Sequence, residues 1–442
     1  MAHEAEGRDL PAWLSYLENL DPNHIELGLE RVRKAAQNCS LGSFGGSYVI
    51  EVAGTNGKGS TAALIAAALN LGGIRTGLYT SPHLRSFNER IAIGNSTVDD
   101  GLLCEAFEHV TKNKGDVPLT YFEYTTLAAL YCFKKSRCAV LVLEVGLGGR
   151  FDAVNMLDAD LAIISSVGMD HMQMLGNTPD KIAFEKAGII KEGASVITGN
   201  MEPAAFRVIE DAARERGCEL YALGRDFGAT FDDHMHFAYK GGRDAMPGAA
   251  WGEYPLPRVP QVCAPLALMA LFLISKELRL SFSDKILSQA LECTVLPGRM
   301  QKISEHPEVY LDVAHNVPAA EHLKETLLEG APGLGRKEGA RRIALMGMLK
   351  DKDIEGVCSQ VSPVFDLFLL SDLGGARGEK ADRLERALLS NHVKIDRIKT
   401  FTCVKDAFKM AVDIAGRDDQ IIVFGSFVTV ADALDVKTQL LD

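Results

Sequence analysis

The sequence predicts an α/β protein, with a doubly wound, mostly parallel sheet carrying a phosphate loop, then a smaller C-terminal α/β domain of Rossmann-like layout. Three observations predict it. The stretch Val52-Ala53-Gly54-Thr55-Asn56-Gly57-Lys58-Gly59-Ser60-Thr61 joins an apolar, β-branched run, Tyr48 to Ala53, to an Ala- and Leu-rich run, Ala62 to Leu71. That is strand, Gly-rich turn and helix, the setting in which backbone N–H groups hold phosphate. Short apolar runs then alternate with helical patterns at the spacings of a parallel sheet. The alternation pauses at Leu296-Pro297-Gly298-Arg299 and resumes, which divides the chain into 1–296 and 297–442.

Taken in order, Pro11 to Leu20 places Trp13, Leu14, Leu17 and Leu20 at helical spacing, and Leu27 to Ala36 reads as a second helix. After the phosphate loop and its helix come a strand at Arg75 to Tyr79, a helix at Tyr121 to Lys134 and a buried strand at Ala139 to Val145. A strand at Leu161 to Ser165, a helix at Thr178 to Ile190, and strands at Ser195 to Thr198 and Glu219 to Tyr221 complete the sheet. Phe227 to Tyr254 has little periodicity and reads as a loop or weak strands, before helices at Cys263 to Leu278 and Asp284 to Glu292. Beyond the hinge, strands are expected at Val309 to Asp312, Ile343 to Met346, Leu367 to Leu370, Ile398 to Phe401 and Ile421 to Phe424, with helices between them.

The 442 residues are 47% hydrophobic and 24% charged, ordinary for a globular protein with large cores. A net charge of −12 argues against nucleic acid as a partner, because that binding rests on phosphate neutralisation. The nine cysteines show no C-x-x-C spacing, which fits reduced thiols and a cytoplasmic setting. The charged first residues lack the apolar core of a signal peptide. The most apolar run, Val262 to Ile274, is too short to span a bilayer, so no membrane partner is expected.

In a doubly wound sheet, ligands gather at the carboxyl ends of the strands. Lys58, Ser81, Glu144 and His171 all fall there. Lys58 can place its ammonium on the β- and γ-phosphates, and Ser60 or Thr61 can offer a hydroxyl to phosphate or Mg2+. Glu144, before Gly146-Leu147-Gly148-Gly149, suits a hard cation. His171 reads as a further Mg2+ ligand, an uncommon role for histidine. Lys186, on an apolar helix, is open to three readings: a surface ion pair, phosphate binding, or carbamylation by CO2. In the second domain Asp312 can accept from ribose hydroxyls, His315 can contact a phosphate, and Arg299 stands at the hinge. Gly347 to Asp353 reads as a solvated turn.

With these residues laid out, the chain resembles the folylpolyglutamate synthase/dihydrofolate synthase family of the Mur-ligase superfamily, most of all its bifunctional bacterial members. The likeness rests on Trp13 to Glu18, Gly54 to Ser60, Ser81-Pro82-His83-Leu84, Leu119 to Glu123, Glu144 to Asp152, Glu185 to Ile189, Leu296 to Arg299, Asp312 to Asn316 and Gly425-Ser426-Phe427. The resemblance implies an ATP-dependent ligase joining L-glutamate to dihydropteroate and to reduced folates, working as a monomer with two Mg2+ ions. It implies that Thr55, Asn56, Gly57, Lys58, Gly59 and Ser60 hold the ATP phosphates, with Arg299 and Asp312 on the nucleotide. Ser81, Glu144 and His171 become the metal ligands, Lys186 the carbamylated lysine, and Lys58, Lys186 and His315 the catalytic group. Thr120, Tyr121, Phe122, Glu123, Phe151, Asp152 and Ala153 line the pterin site. Cys263 and Val154 depart from the residues usual in such relatives, an Asn and a Thr.

Overall fold

The structure, a computed structural model, describes residues 7–20, 28–239, 252–329 and 335–441. Contacts divide the chain into two compact units: Met1–Gly168 with Leu175–Thr294, and Met169–Met174 with Val295–Asp442.

The first unit is built on eight strands: Tyr48–Ala53 (β1), Thr76–Tyr79 (β2), Ile91–Ile93 (β3), Ser96–Thr97 (β4), Val140–Glu144 (β5), Leu161–Ile164 (β6), Ser195–Thr198 (β7) and Glu219–Ala222 (β8). Their order is β4-β3-β2-β5-β1-β6-β7-β8. Six run parallel; β3 and β4 pair antiparallel at one edge. All six residues of β1 are buried, as expected of a central strand covered on both faces. Trp13, Phe107, Tyr124 and Phe133 form the heart of the core on one side. The helix Lys58–Leu71 packs with the helices Cys263–Glu277 and Asp284–Cys293.

Two features of this unit went beyond the sequence expectation. The edge hairpin β3–β4 turns at Gly94-Asn95, with Gly94 at φ +64°, a turn that favours left-handed residues. The helix Asp100–Asn113 begins at Asp99, whose carboxylate accepts from Leu102 N–H at 2.8 Å. It buries Leu103, Ala106, Phe107 and Val110, the i, i+3, i+4, i+7 stripe of an amphipathic helix. Of the two readings of the segment from Phe227, loop or weak strands, the structure shows the strands: Phe227–Phe231 (β9), Met235–Tyr239 (β10) and Gly252–Tyr254 (β11), an antiparallel sheet. Phe227, Met235, Phe237 and Tyr254 are buried from it, enough apolar anchoring to hold short strands. Residues 240–251 of that expectation, and Leu27 at the start of the second expected helix, lie outside the described residues.

The second unit holds Gln301–Glu305 (β12), Glu308–Leu311 (β13), Arg342–Met346 (β14), Leu367–Ser371 (β15), Ile398–Phe401 (β16) and Gln420–Phe424 (β17). The order is β12-β13-β17-β14-β15-β16, parallel except for the β12–β13 hairpin. Its core gathers Phe365, Phe368, Phe424 and Leu384. No helix among the described residues is long and apolar enough to cross a membrane.

Candidate active site

The phosphate loop runs from the end of β1 into the helix Lys58–Leu71. Gly57, the residue before that helix, sits at φ +83°, where a side chain would be strained. The end of the neighbouring strand β6 fixes the loop. Thr55 N–H donates to Ser166 O at 3.0 Å, and Gly168 N–H donates to Thr55 Oγ1 at 2.9 Å. Asn56 N–H donates to Ser166 Oγ at 2.9 Å, while Ser165 Oγ donates to Asn56 O at 2.7 Å. Ser165, Ser166 and Gly168 thus shape the loop although sequence reasoning did not single them out for it. Their signal was small polar residues at the end of a strand beside β1.

Lys58 folds back over the loop, Nζ donating to Gly54 O at 3.1 Å and Thr55 O at 3.3 Å. One turn on, Ser60 Oγ and Thr61 Oγ1 are sealed from solvent and have no hydrogen-bond partner among the described residues. Cys263 lies beneath the loop, fully buried, with Sγ 3.7 Å from Gly57 O. Its contact is therefore with the loop backbone.

Glu144 ends β5 and is 5% exposed. Its Oε2 accepts Ser81 N–H at 2.9 Å, so Ser81 meets the carboxylate through its backbone. A Cβ on Gly59 would stand 3.2 Å from the same oxygen. The carboxylate thus rests on the first turn of the phosphate-loop helix, where the helix dipole favours negative charge. An anion and two orphaned hydroxyls at one helix start form a donor set of oxygens suited to a hard cation. Among the described residues no three His, Cys, Asp or Glu side chains gather as a ready-made metal cage.

The glycines after Glu144 allow two close approaches. A Cβ on Gly146 would lie 2.5 Å from the Phe122 ring, and one on Gly149 would lie 3.0 Å from Lys186 O. The loop is thereby seated on Phe122 and on the end of the helix Pro179–Lys186. Lys186 is 3% exposed. Asp152 is also buried and accepts from Leu147 and Val154 N–H groups at 2.8 and 3.0 Å. Burial pushes its pKa up to about 6 in spite of those bonds. Ala153 and Val154 behind it are buried, while Phe151 is 37% exposed and stacks under the Arg150 guanidinium.

Tyr121 and Phe122 open the helix Tyr121–Lys135. Phe122 also meets Tyr79, ring centroids 6.0 Å apart. Glu123, expected to face the pterin, has its carboxylate engaged within the protein. One oxygen accepts Thr120 N–H at 2.8 Å and Thr120 Oγ1 at 3.0 Å, closing a capping box, and Arg31 pairs with the other oxygen at 2.9 Å.

In the second unit, Asp312 accepts Met300 N–H at 2.9 Å and Ala314 N–H at 2.8 Å. Burial raises its pKa. His315 directs Nδ1 to Val313 O at 2.7 Å. Burial and the Lys352 charge push its pKa down to about 4, so the ring is neutral near pH 7 and Nδ1–H donates. Arg299 sits over the Phe427 ring at 5.4 Å. Lys352, expected in a solvated turn, is 7% exposed and donates to Asp170 Oδ1 at 2.8 Å. Asn316 Nδ2 donates to the other Asp170 oxygen at 2.9 Å. Lys352 and the neighbouring histidines hold the Asp170 carboxyl well below the usual range, against the opposing effect of burial. His171 follows Asp170 at φ +49°, its N–H donating to Asp170 Oδ1 at 2.9 Å. A buried pair with its remaining lone pairs occupied is what makes an interior lysine tolerable; the turn is not solvated as expected, because Lys352 meets a partner 182 positions away.

Residues 52–242 match the Mur ligase middle domain, and residues 298–427 match the Mur ligase glutamate ligase domain. The dihydrofolate synthase/folylpolyglutamate synthase of Escherichia coli is 38% identical, covering 97% of this chain and 95% of that protein. The chain belongs to the dihydrofolate synthase/folylpolyglutamate synthase family of Mur ligases. Its Haemophilus influenzae relative of the same name is 35% identical over 96% of both chains. Among solved structures, E. coli FolC in complex with DHPP and ADP superposes with a TM-score of 0.88 at 36% identity, covering 98% of each chain. A bifunctional family member with Mn, AMPPNP and L-glutamate bound gives a TM-score of 0.85 at 36% identity, covering 97% of this chain and 98% of that one.

Proposed function

We propose that this chain is a bifunctional ATP-dependent ligase. It joins L-glutamate to dihydropteroate, giving dihydrofolate, and to the γ-carboxylate of reduced folates, extending the polyglutamate tail. The observation that carries the reading is the buried Glu144 carboxylate against Gly59, on the first turn of the phosphate-loop helix, the turn that also carries the orphaned Ser60 hydroxyl.

In this reading Thr55 to Ser60 cradle the ATP phosphates, and Lys58 leaves its own loop carbonyls for the β- and γ-phosphates. Glu144, Ser60 and Ser81, with His171, serve Mg2+, two ions in all. Bound there, Mg2+ supplies Lewis-acid neutralisation of the phosphoryl oxygens. The substrate carboxylate oxygen attacks the γ-phosphorus while the bond to ADP breaks, giving an acyl phosphate. Lys58 neutralises charge on the moving phosphoryl group. The glutamate amine then attacks the acyl carbon, phosphate departs, and the amine loses its proton. Lys186, carbamylated, carries negative charge toward the cation site; Arg299 and Asp312 serve the nucleotide, and His315, held neutral, offers Nε2 to a reacting group. Tyr121, Phe122, Phe151 and Ala153 wall the pterin. Thr120, Glu123 and Asp152 hold that wall in shape, their polar groups being engaged with the backbone and Arg31. The protein acts in the cytoplasm as a monomer.

Purified protein supplied with ATP, Mg2+ and L-glutamate, across a panel of carboxylates, tests this. Phosphate release that requires glutamate together with dihydropteroate or a reduced folate is the expected result. Release that is indifferent to both overturns the reading.

A further inference from the structure

Arg90 closes the short turn Phe87–Arg90 before β3. Its side chain is 8% exposed. Nε donates to His83 Nδ1 at 2.8 Å. The guanidinium carbon stands 5.6 Å from the centre of the Tyr121 ring and 5.5 Å from that of Phe87. Histidine brings no negative charge, and among the described residues no carboxylate pairs with Arg90. The adjacent acid, Glu89, accepts three backbone N–H groups instead, from Leu84, Arg85 and Ser86, at 2.7, 3.0 and 2.8 Å. The two terminal nitrogens of Arg90 therefore form an uncompensated cationic fork beside the wall assigned to the pterin. Neither has a hydrogen-bond partner among the described residues, and both reach solvent. A buried guanidinium without an anion is strongly unfavourable, and its fork matches a carboxylate in two parallel hydrogen bonds.

We propose that Arg90 binds the α-carboxylate of the glutamyl residue already carried by a folate substrate. Dihydropteroate has no such group, so Arg90 separates the two substrates of the site. The inference rests on the proposed function. Ser81, two residues before His83, bonds Glu144 through its backbone, so a short run of chain and the Arg90–His83 hydrogen bond connect the Arg90 turn to the Glu144 end of β5. The α- and γ-carboxyl carbons of glutamate are four bonds apart, about 5 Å when extended. A γ-carboxylate at the phosphoryl group thus leaves its α-carboxylate within the same neighbourhood.

Steady-state kinetics with tetrahydrofolate, its α-carboxamide analogue and dihydropteroate test this on wild type, Arg90→Gln and Arg90→Lys. Losing one charge-assisted pair predicts roughly a tenfold to hundredfold fall in kcat/KM, expressed in KM. Wild type should lose that factor when tetrahydrofolate is replaced by its α-carboxamide. Arg90→Gln should lose it with tetrahydrofolate, show no further loss with the carboxamide, and leave dihydropteroate within about threefold. Arg90→Lys should recover part of it. Equal use of acid and carboxamide by wild type overturns the proposal without any variant having to fold. An equal loss on tetrahydrofolate and dihydropteroate in a folded Arg90→Gln overturns it too, showing Arg90 to be structural. Wild type that uses neither parent substrate defeats the functional reading itself, and this proposal with it.

Discussion

Glu51 occupies the middle of the central strand β1 with no exposure, and neither carboxylate oxygen has a hydrogen-bond partner among the described residues. Lys191 helps the charged form, while Asp152 and Asp158 oppose it. Burial dominates and pushes the pKa from 4.5 up to about 8. The folded chain therefore holds a proton at Glu51 that the unfolded chain releases above about pH 4.5. Folding stability must fall as pH rises from there to about 8, with a slope near 1.4 kcal/mol per pH unit, and level off beyond. By pH 7 the accumulated loss is on the order of 3 kcal/mol, a large share of a typical domain's stability. Glu51→Gln keeps the shape and removes the titration. Urea denaturation of both proteins, from about pH 5 to about pH 8, should show the variant gaining steadily on wild type by up to a few kcal/mol. Asp152 titrates in both proteins, and its coupling to Glu51 is part of the difference measured. A difference that stays flat across this range refutes the reasoning, and means that Glu51 finds a partner or water in solution.

Lys58→Ala should cut ligation by on the order of 10²–10³ in kcat while leaving the fold intact by circular dichroism; near-normal turnover would remove Lys58 from the phosphate site. Lys186 should carry a carbamate in the active enzyme, visible as a branched extension on Nζ at high resolution. Lys186→Ala should be inactive and regain activity with short carboxylic acids; a failure of every acid tried would favour an ammonium instead. Gly146→Ala puts a methyl group 2.5 Å from the Phe122 ring. It should cost about 1–3 kcal/mol of stability and raise KM for dihydropteroate; unchanged melting and kinetics would show that the ring is not fixed by this glycine.

The phosphate loop, both parallel sheets and the strand-end position of Glu144 were legible because their causes are local. A β-branched run, a glycine turn and an Ala-rich run need no distant partner to declare strand, turn and helix. The helix Asp100–Asn113 was equally legible, from its Asp99 cap and its 3–4 spaced apolar stripe, and the hairpin at Gly94-Asn95 carried its turn signal. For β9 and β10 the sequence leaves loop and weak strand both open, because the alternation is weak; burial of Phe227, Met235 and Phe237 is what makes them strands.

The sequence by itself determined which chemistry the chain can carry: a lysine in a glycine loop, a carboxylate at a strand end and aromatic residues at a helix start. Only the tertiary structure decided which of those groups remain available. Glu123 reads as a substrate contact until Thr120 and Arg31 are seen to take its oxygens. Lys352 reads as solvated until Asp170, 182 positions away, is seen beside it. Nothing near Arg90 in the sequence shows that it is buried with histidine rather than a carboxylate against it. Charge and hydrogen-bonding capacity belong to the residue type. Whether they are already satisfied depends on partners that the fold brings from far along the chain, and local sequence carries no record of those partners.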